Sequence, residues 1–294
     1  NEMRIIRAEH MGMCFGVRDA IAMAQEAARV EPVTVLGQLV HNESVLARMR
    51  VSGVRFAEGL EEVATQRVVI TAHGASDRAI TRVKHAGLQL TDTTCPLVAS
   101  AHRAVRTLVR EGYHLLVIGK RGHVEVIGLT EDSPDCDILL SEEEVERLTE
   151  RERFGVCAQT TQPISRVRKL VNAIRKRFPS SEVRFIDTVC QPTKQRQQAA
   201  IELAAGCDVV VVIGGANSNN TRELVETCLQ SCGRVHHIQS AGDLVEDWFG
   251  SGDTVGVTAG TSTPDECISA VAEALENIAC SLTLQYKVNM GERG

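Results

Sequence analysis

Three short patterns recur in the same order along this chain, and that recurrence constrains its fold more than any single segment. Asp92-Thr93-Thr94-Cys95 and Asp187-Thr188-Val189-Cys190 share the pattern D-T-x-C. Each follows a strand-like run and precedes a helix-like run, and Cys14 stands in the same context, between residues 4–8 and 17–29. Val35-Leu36-Gly37, Val117-Ile118-Gly119 and Val212-Ile213-Gly214 each end on a glycine; four residues further on stand His41, His123 and Ser218. The cysteine precedes that position by 27, 28 and 28 residues. The third pattern closes each unit: Thr71-Ala72-His73-Gly74, Cys157-Ala158-Gln159-Thr160-Thr161 and Thr258-Ala259-Gly260-Thr261-Ser262 line up on their alanines. One match of this kind is what generic strand–loop–helix joints produce. Three patterns in one order predict internal repetition, in units of roughly 90 residues.

Each unit alternates β-branched and Ala-rich runs. Strands are expected at 34–36, 68–71, 115–118, 183–186, 209–213 and 254–257, and helices at 17–29, 97–110, 164–177, 195–204 and 264–278. Alternation of this type argues α/β layers with largely parallel strands. The expected fold class is α/β, three related units around a pseudo-threefold axis. The expected division is 1–94, 95–189 and 190–280, followed by a tail at 281–294 whose role stays open.

In α/β units function gathers at the C-terminal ends of strands, beside helix N-termini. All the recurring positions fall there. A threefold arrangement would bring Cys14, Cys95 and Cys190 together, and three thiolates bind either zinc or an iron–sulfur cluster. Their separations, 81 and 95 residues, are unlike those of a zinc ribbon or knuckle. A cubane cluster on three cysteines leaves one iron open to substrate. Around the same axis fall His41, His73, His123, Glu125, Thr160, Ser218, Asn219, Asn220 and Ser262. Imidazoles, hydroxyls and amides at helix N-termini suit a phosphate or diphosphate. Glu125, two residues past His123, is placed to relay a proton if the segment is extended. The remaining histidines, at 10, 85, 102, 114, 236 and 237, read as packing or surface residues. Cys228 and Cys232, four apart on an expected helix, read as buried packing.

Composition narrows the class further. The net charge of −6 argues against a fold-wide nucleic-acid face. No run of about 18 apolar residues is present, so no membrane span is expected. The first residues carry no apolar run or cleavage site, so a signal peptide is not expected and the location reads as cytosolic. Ten cysteines in such a chain point to metal binding, catalysis or buried thiols. No G-x-G-x-x-G follows a strand and no P-loop occurs, so electrons would come from a separate protein. On residues alone three functions stay open: a reductase with a cluster, a zinc-dependent hydrolase or dehydratase acting on a phosphorylated metabolite, and a non-catalytic iron–sulfur sensor.

The set Met13-Cys14-Phe15-Gly16-Val17, Val40-His41-Asn42, Thr71-Ala72-His73-Gly74, Thr93-Thr94-Cys95-Pro96-Leu97-Val98, Gly122-His123-Val124-Glu125, Gln159-Thr160-Thr161, Cys190, Arg196-Gln197, Asn217-Ser218-Asn219-Asn220 and Gly260-Thr261-Ser262-Thr263-Pro264 resembles the 4-hydroxy-3-methylbut-2-enyl diphosphate reductases. The match runs in order from about residue 4 to about residue 280. The resemblance implies a trefoil α/β fold around a [4Fe-4S] cluster held by Cys14, Cys95 and Cys190, with one open iron. It implies reductive removal of a hydroxyl from an allylic diphosphate with two electrons and two protons, giving isopentenyl and dimethylallyl diphosphate. It also implies an external donor such as a ferredoxin or flavodoxin. By the same resemblance His41, His73, Ser218, Asn220 and Ser262 hold the diphosphate, with Asn219 beside them, and Glu125, His123 and Thr160 organise proton delivery. The chain departs from the family pattern at Met13, Phe15, Val124, Asn219 and Gln191-Pro192, none of which is an expected cluster ligand or the expected acid.

Overall fold

The structure, a computed structural model, describes residues 2–40 and 42–291, without the side chains of 287–291. In chain order the elements are β1 (Arg4–Arg7), α1 (Phe15–Val30), β2 (Val33–Leu36), α2 (Glu43–Val51), β3 (Val54–Ala57), β4 (Arg67–Ile70), α3 (Asp77–His85), β5 (Gln89–Asp92), α4 (Pro96–Arg110), β6 (His114–Ile118), α5 (Val124–Thr130), β7 (Cys136–Leu139) and α6 (Glu142–Glu146). Then come β8 (Arg153–Ala158), α7 (Ile164–Arg177), β9 (Glu182–Phe185), α8 (Gln191–Ala205), β10 (Val209–Ile213), α9 (Asn219–Leu229), β11 (Val235–Ile238), β12 (Thr254–Ala259) and α10 (Asp265–Gly291).

The strands form three four-stranded sheets, ordered β3-β2-β4-β5, β7-β6-β8-β9 and β11-β10-β12-β1. Every pairing is parallel. The order is the same three times: the strand ending in the recurrent glycine lies second, and the strand before the next cysteine lies at an edge. The repetition is cyclic. β5 leads into Cys95 and β9 into Cys190, while β1, which pairs with β12, leads into Cys14. Residues 4–7 therefore complete the sheet of the last repeat.

The chain divides into two compact units. One comprises Phe15–Leu39 and Leu46–Thr193 and contains the first two sheets. Its β6–β9 sheet is covered on one face by α4, whose Val98, Ala101, Val105 and Leu108 are buried at helical spacing. Val167, Leu170, Val171 and Ile174 of α7 do the same over Phe154 and Val156. The other unit comprises Asn1–Cys14, Val40–Val45 and Lys194–Gly294. Its β10, Val209 to Ile213, is buried throughout, as a central parallel strand requires.

All the strands and helices expected from the sequence are present. The strand-like run before Asp92 is the short edge β5, while the other short edge β11, VHHI, carried too little apolar pattern to be expected as a strand. α9 stops at Leu229, so Cys232 lies beyond the helix; its N–H bonds the Cys228 carbonyl at 2.9 Å and both thiols are buried. None of the ten cysteines is in a disulfide. α10 runs well past the expected 278. Leu282 packs on the core, and Ser281 Oγ and Gln285 Nε2 both donate to Glu246 Oε1. Among the described residues its segment Asp265–Tyr286 is the one helix long and apolar enough to cross a membrane, yet its Ile268, Val271, Ala272 and Leu275 are core residues.

Candidate active site

Within each unit the recurrent residues meet at the C-terminal strand ends, held by hydrogen bonds that themselves recur. Gly37, Gly119 and Gly214 donate their N–H groups to Ala57, Leu139 and Ile238, the ends of the neighbouring strands. Each cysteine stands immediately before a long helix: Cys14 before α1, Cys95 as the N-cap of α4, and Cys190 before α8. Each cysteine N–H bonds a carbonyl of a third-pattern loop. Cys95 bonds Ala72 at 3.0 Å, Cys190 bonds Thr160 at 3.0 Å and Cys14 bonds Thr261 at 3.3 Å.

In the unit that contains Phe15–Leu39 and Leu46–Thr193 the structure brings together His73, His123, Glu125 and Thr160. Gly74, at φ +74°, turns the chain just after His73, a conformation that favours glycine. The His73 and His123 rings meet edge to face, with centroids 5.5 Å apart. His123 caps α5, its Nδ1 accepting the Glu125 N–H at 3.2 Å. Accepting there places the proton of the neutral ring on Nε2. The 122–125 segment is thus a helix start rather than the extended run that would put both side chains on one side. Imidazole and glutamate are linked through the backbone, and the carboxyl is turned elsewhere. Glu125 Oε1 accepts the Thr160 N–H at 2.6 Å, and the Thr160 hydroxyl donates to Oε2 at 3.0 Å.

Both partners are buried, Glu125 at 1% exposure. Burial pushes Glu125 up to about 7, against the pull of the two Thr160 hydrogen bonds, which favour the carboxylate. Cys157 lies close behind; burial first, and then the Glu125 charge, push its thiol up to about 12. That is a packing cysteine, as its place outside the repeated set implies. Cys95 has a different neighbour. A Cβ on Gly16 would stand 2.5 Å from Cys95 Sγ, so only a bare Cα lets α1 come this close to the sulfur. Cys190 Sγ lies 3.0 Å from Thr193 Oγ1.

The other unit holds Cys14, Ser218, Asn219, Asn220 and Ser262. Ser218 caps α9, its Oγ accepting the Thr221 N–H at 3.2 Å. Asn220 Oδ1 accepts the Thr261 N–H at 2.9 Å, which turns the amide NH₂ outward as a donor. Asn219 Nδ2 is buried with no hydrogen-bond partner among the described residues. Ser262 is buried after β12. His41 lies outside the described residues.

Two residues gain roles that the sequence reading did not assign. Arg196 Nε and Nη2 both donate to the Gly12 carbonyl, at 3.1 and 2.9 Å, and so brace the loop before Cys14. Gln159 Oε1 accepts the Lys120 N–H at 3.1 Å and ties the second glycine loop to the Thr160 loop. Arg196 lies at no repeated position; Gln159 does, as the counterpart of His73 one residue past the aligned alanine, and that place was the signal that could have raised it above other polar side chains. Cys95 and Cys190 are half-buried thiols at helix starts, Cys95 against a glycine, with the access a thiolate needs to bind iron. Among the described residues no group of three or more His, Cys, Asp or Glu side chains is placed to hold a single metal ion.

Comparison with known proteins agrees in extent and in kind. The family model described as LytB protein matches residues 5–276. A protein of Pelobacter propionicus named 4-hydroxy-3-methylbut-2-enyl diphosphate reductase is 37% identical over 277 residues, covering 92% of this chain and 98% of its own length. The Aquifex aeolicus protein of the same name is 35% identical over 280 residues, covering 93% and 96%. The solved structure of the E-1-hydroxy-2-methyl-but-2-enyl-4-diphosphate reductase of Plasmodium falciparum superposes with a TM-score of 0.87 at 26% identity, over 93% of this chain and 88% of that one. A structure titled as the terminal enzyme of the non-mevalonate pathway gives 0.67 at 35% identity, over 94% and 99%. With its three like sheets and a family match across nearly its whole length, the chain belongs to the LytB family.

Proposed function

We propose that this chain reduces 4-hydroxy-3-methylbut-2-enyl diphosphate to isopentenyl and dimethylallyl diphosphate, as a cytosolic enzyme fed by an external one-electron donor protein of the ferredoxin or flavodoxin type. The observation that carries the reading is the Glu125–Thr160 pair: a buried carboxyl with its proton held to about pH 7, at the strand ends of a reductase fold. Cys14, Cys95 and Cys190 are the proposed ligands of a [4Fe-4S] cluster with one open iron. When bound, the cluster would relay two electrons from the donor protein, one at a time, and offer Lewis-acid chemistry for the substrate hydroxyl.

The chain's own groups do the rest. Ser218, Asn220, Ser262, His73 and His41 bind the diphosphate with hydroxyl, amide and imidazole donors, and Asn219 adds its unpartnered amide. His123 presents Nε2–H beside His73. Neutral donors suit a multiply charged ligand that must leave again as product, because they fix its position without a full ion pair. Glu125 in its acid form gives a proton to the departing hydroxyl, and the Thr160 hydroxyl orients that carboxyl. Two electrons and two protons then turn the alcohol into the alkene pair and water.

The test is anaerobic. The purified protein should be brown, carry about four irons per chain and consume the allylic diphosphate with a strong one-electron reductant. A colourless zinc protein would sink the reading. A brown protein that binds the diphosphate without turning it over would make it a sensor.

A further inference from the structure

Glu125 and Asn220 occupy the same place in two repeats, six residues after Gly119 and Gly214. Their partners Thr160 and Thr261 also correspond, two residues after Ala158 and Ala259. Both pairs make the same bond, side-chain oxygen to backbone N–H, at 2.6 and 2.9 Å. The next residue along, Val126 or Thr221, is fully buried in each case. A Cβ on Gly119 would stand 2.7 Å from Val126 Cγ2 and 3.0 Å from the Gln159 Cβ. A Cβ on Gly214 or on Gly260 would collide with Thr221 Oγ1. In both repeats one branched side chain thus fills the gap at the glycine loop, close to the residue just before the paired threonine.

We propose that Val126 and Thr221 are equivalent positioning residues, wedges whose branched shape sets the distance across which Glu125 meets Thr160 and Asn220 meets Thr261. The proposal rests on the reductase reading for its consequences in turnover, and on the repeat geometry alone for its structural part. Shape is what matters, because Val126 has no polar atom to offer. The Thr221 hydroxyl is buried with no hydrogen-bond partner among the described residues, so it contributes no bond to the arrangement. A wedge at 126 governs the proton donor, and a wedge at 221 governs a diphosphate contact. The two therefore fail differently, which general packing residues would not.

The experiment compares V126A, T221A and the reciprocal swaps V126T and T221V in the reconstituted holoenzyme. Amide hydrogen exchange is followed at Thr160 and Thr261, and steady-state kinetics with the allylic diphosphate in parallel. V126A should speed exchange at Thr160 but not at Thr261, and lower kcat about tenfold with KM little changed. T221A should speed exchange at Thr261 but not at Thr160, and raise KM about tenfold with kcat little changed. Both swaps keep the branched shape and should keep the parent's exchange and kinetics, so the proposal survives even if an alanine variant fails to fold. Alanine variants that lose thermal stability without the crossed exchange pattern overturn it. So does a T221V enzyme as impaired as T221A, since the hydroxyl would then be the active part. A parent holoenzyme inert towards the allylic diphosphate, with the crossed exchange intact, supports the wedges and removes the reductase reading instead.

Discussion

Glu125 titrates where its environment, not its type, decides. Its value of about 7 lies above the ordinary carboxyl value of 4.5, because burial penalises the anion more than the Thr160 bonds reward it. Glu125→Gln keeps the acceptor for the Thr160 N–H and removes the proton. It should lower kcat by about a hundredfold or more while KM changes little, read from steady-state rates under anaerobic conditions. In the parent, turnover should fall as pH rises through about 7, because the acid form is the donor. The same shift enters stability. A folded-state value above the unfolded one contributes stability below pH 4.5 and loses it as pH climbs through about 7. Denaturant melts of both cluster-free proteins should therefore differ across that window by on the order of 3 kcal/mol, with Glu125→Gln the flatter curve. The sequence placed Glu125 near the chemistry because it sits two residues from a repeated position. It could not show that the carboxyl turns to Thr160, because that depends on His123 capping a helix rather than sitting in an extended run.

α5 and α9 show what the element scale adds. Val124-Glu125-Val126-Ile127-Gly128 reads as a strand by propensity, yet it is a helix, begun by an imidazole cap and held by Val126 in the core. Local preference lost to tertiary context there, which is why no helix was expected at that point. Ser218 performs the same capping in the last repeat with a hydroxyl. Ser218→Ala should cost about 1 kcal/mol in thermal melts of the cluster-free protein and raise KM for the diphosphate. A KM left unchanged would confine Ser218 to capping. α1 gives an opposite pair of signs. Gly16→Ala favours the helix by up to about 1 kcal/mol on propensity, but its methyl meets Cys95 Sγ. Iron retained per chain after anaerobic reconstitution should fall, with no matching loss of folded protein before iron is added. Full iron loading in that variant would mean that α1 can draw back from the sulfur.

At the scale of the whole molecule, the sequence showed the plan better than its boundaries. Three glycines, three cysteines and three alanines were enough to foresee three related α/β units, because each pattern marks a strand end that must bond its neighbours the same way. What stayed hidden was the join: Arg4–Arg7 looked like the start of the first repeat, but hydrogen-bonds to Thr254–Val257 of the last. Four residues with a polar pattern say nothing about a partner 250 positions away. A chain begun at Glu9 should bare the edge of β12 and aggregate, seen as a loss of monodisperse protein on size exclusion. The same pairing bears on how the chain is made. β1 is made before its partner β12, which follows only after some 250 more residues, a delay of roughly 10 to 50 s at ordinary elongation rates. For that interval residues 4–7 have no β12 to pair with, so the unit that holds Cys14 can close only once residues 254–259 have been made.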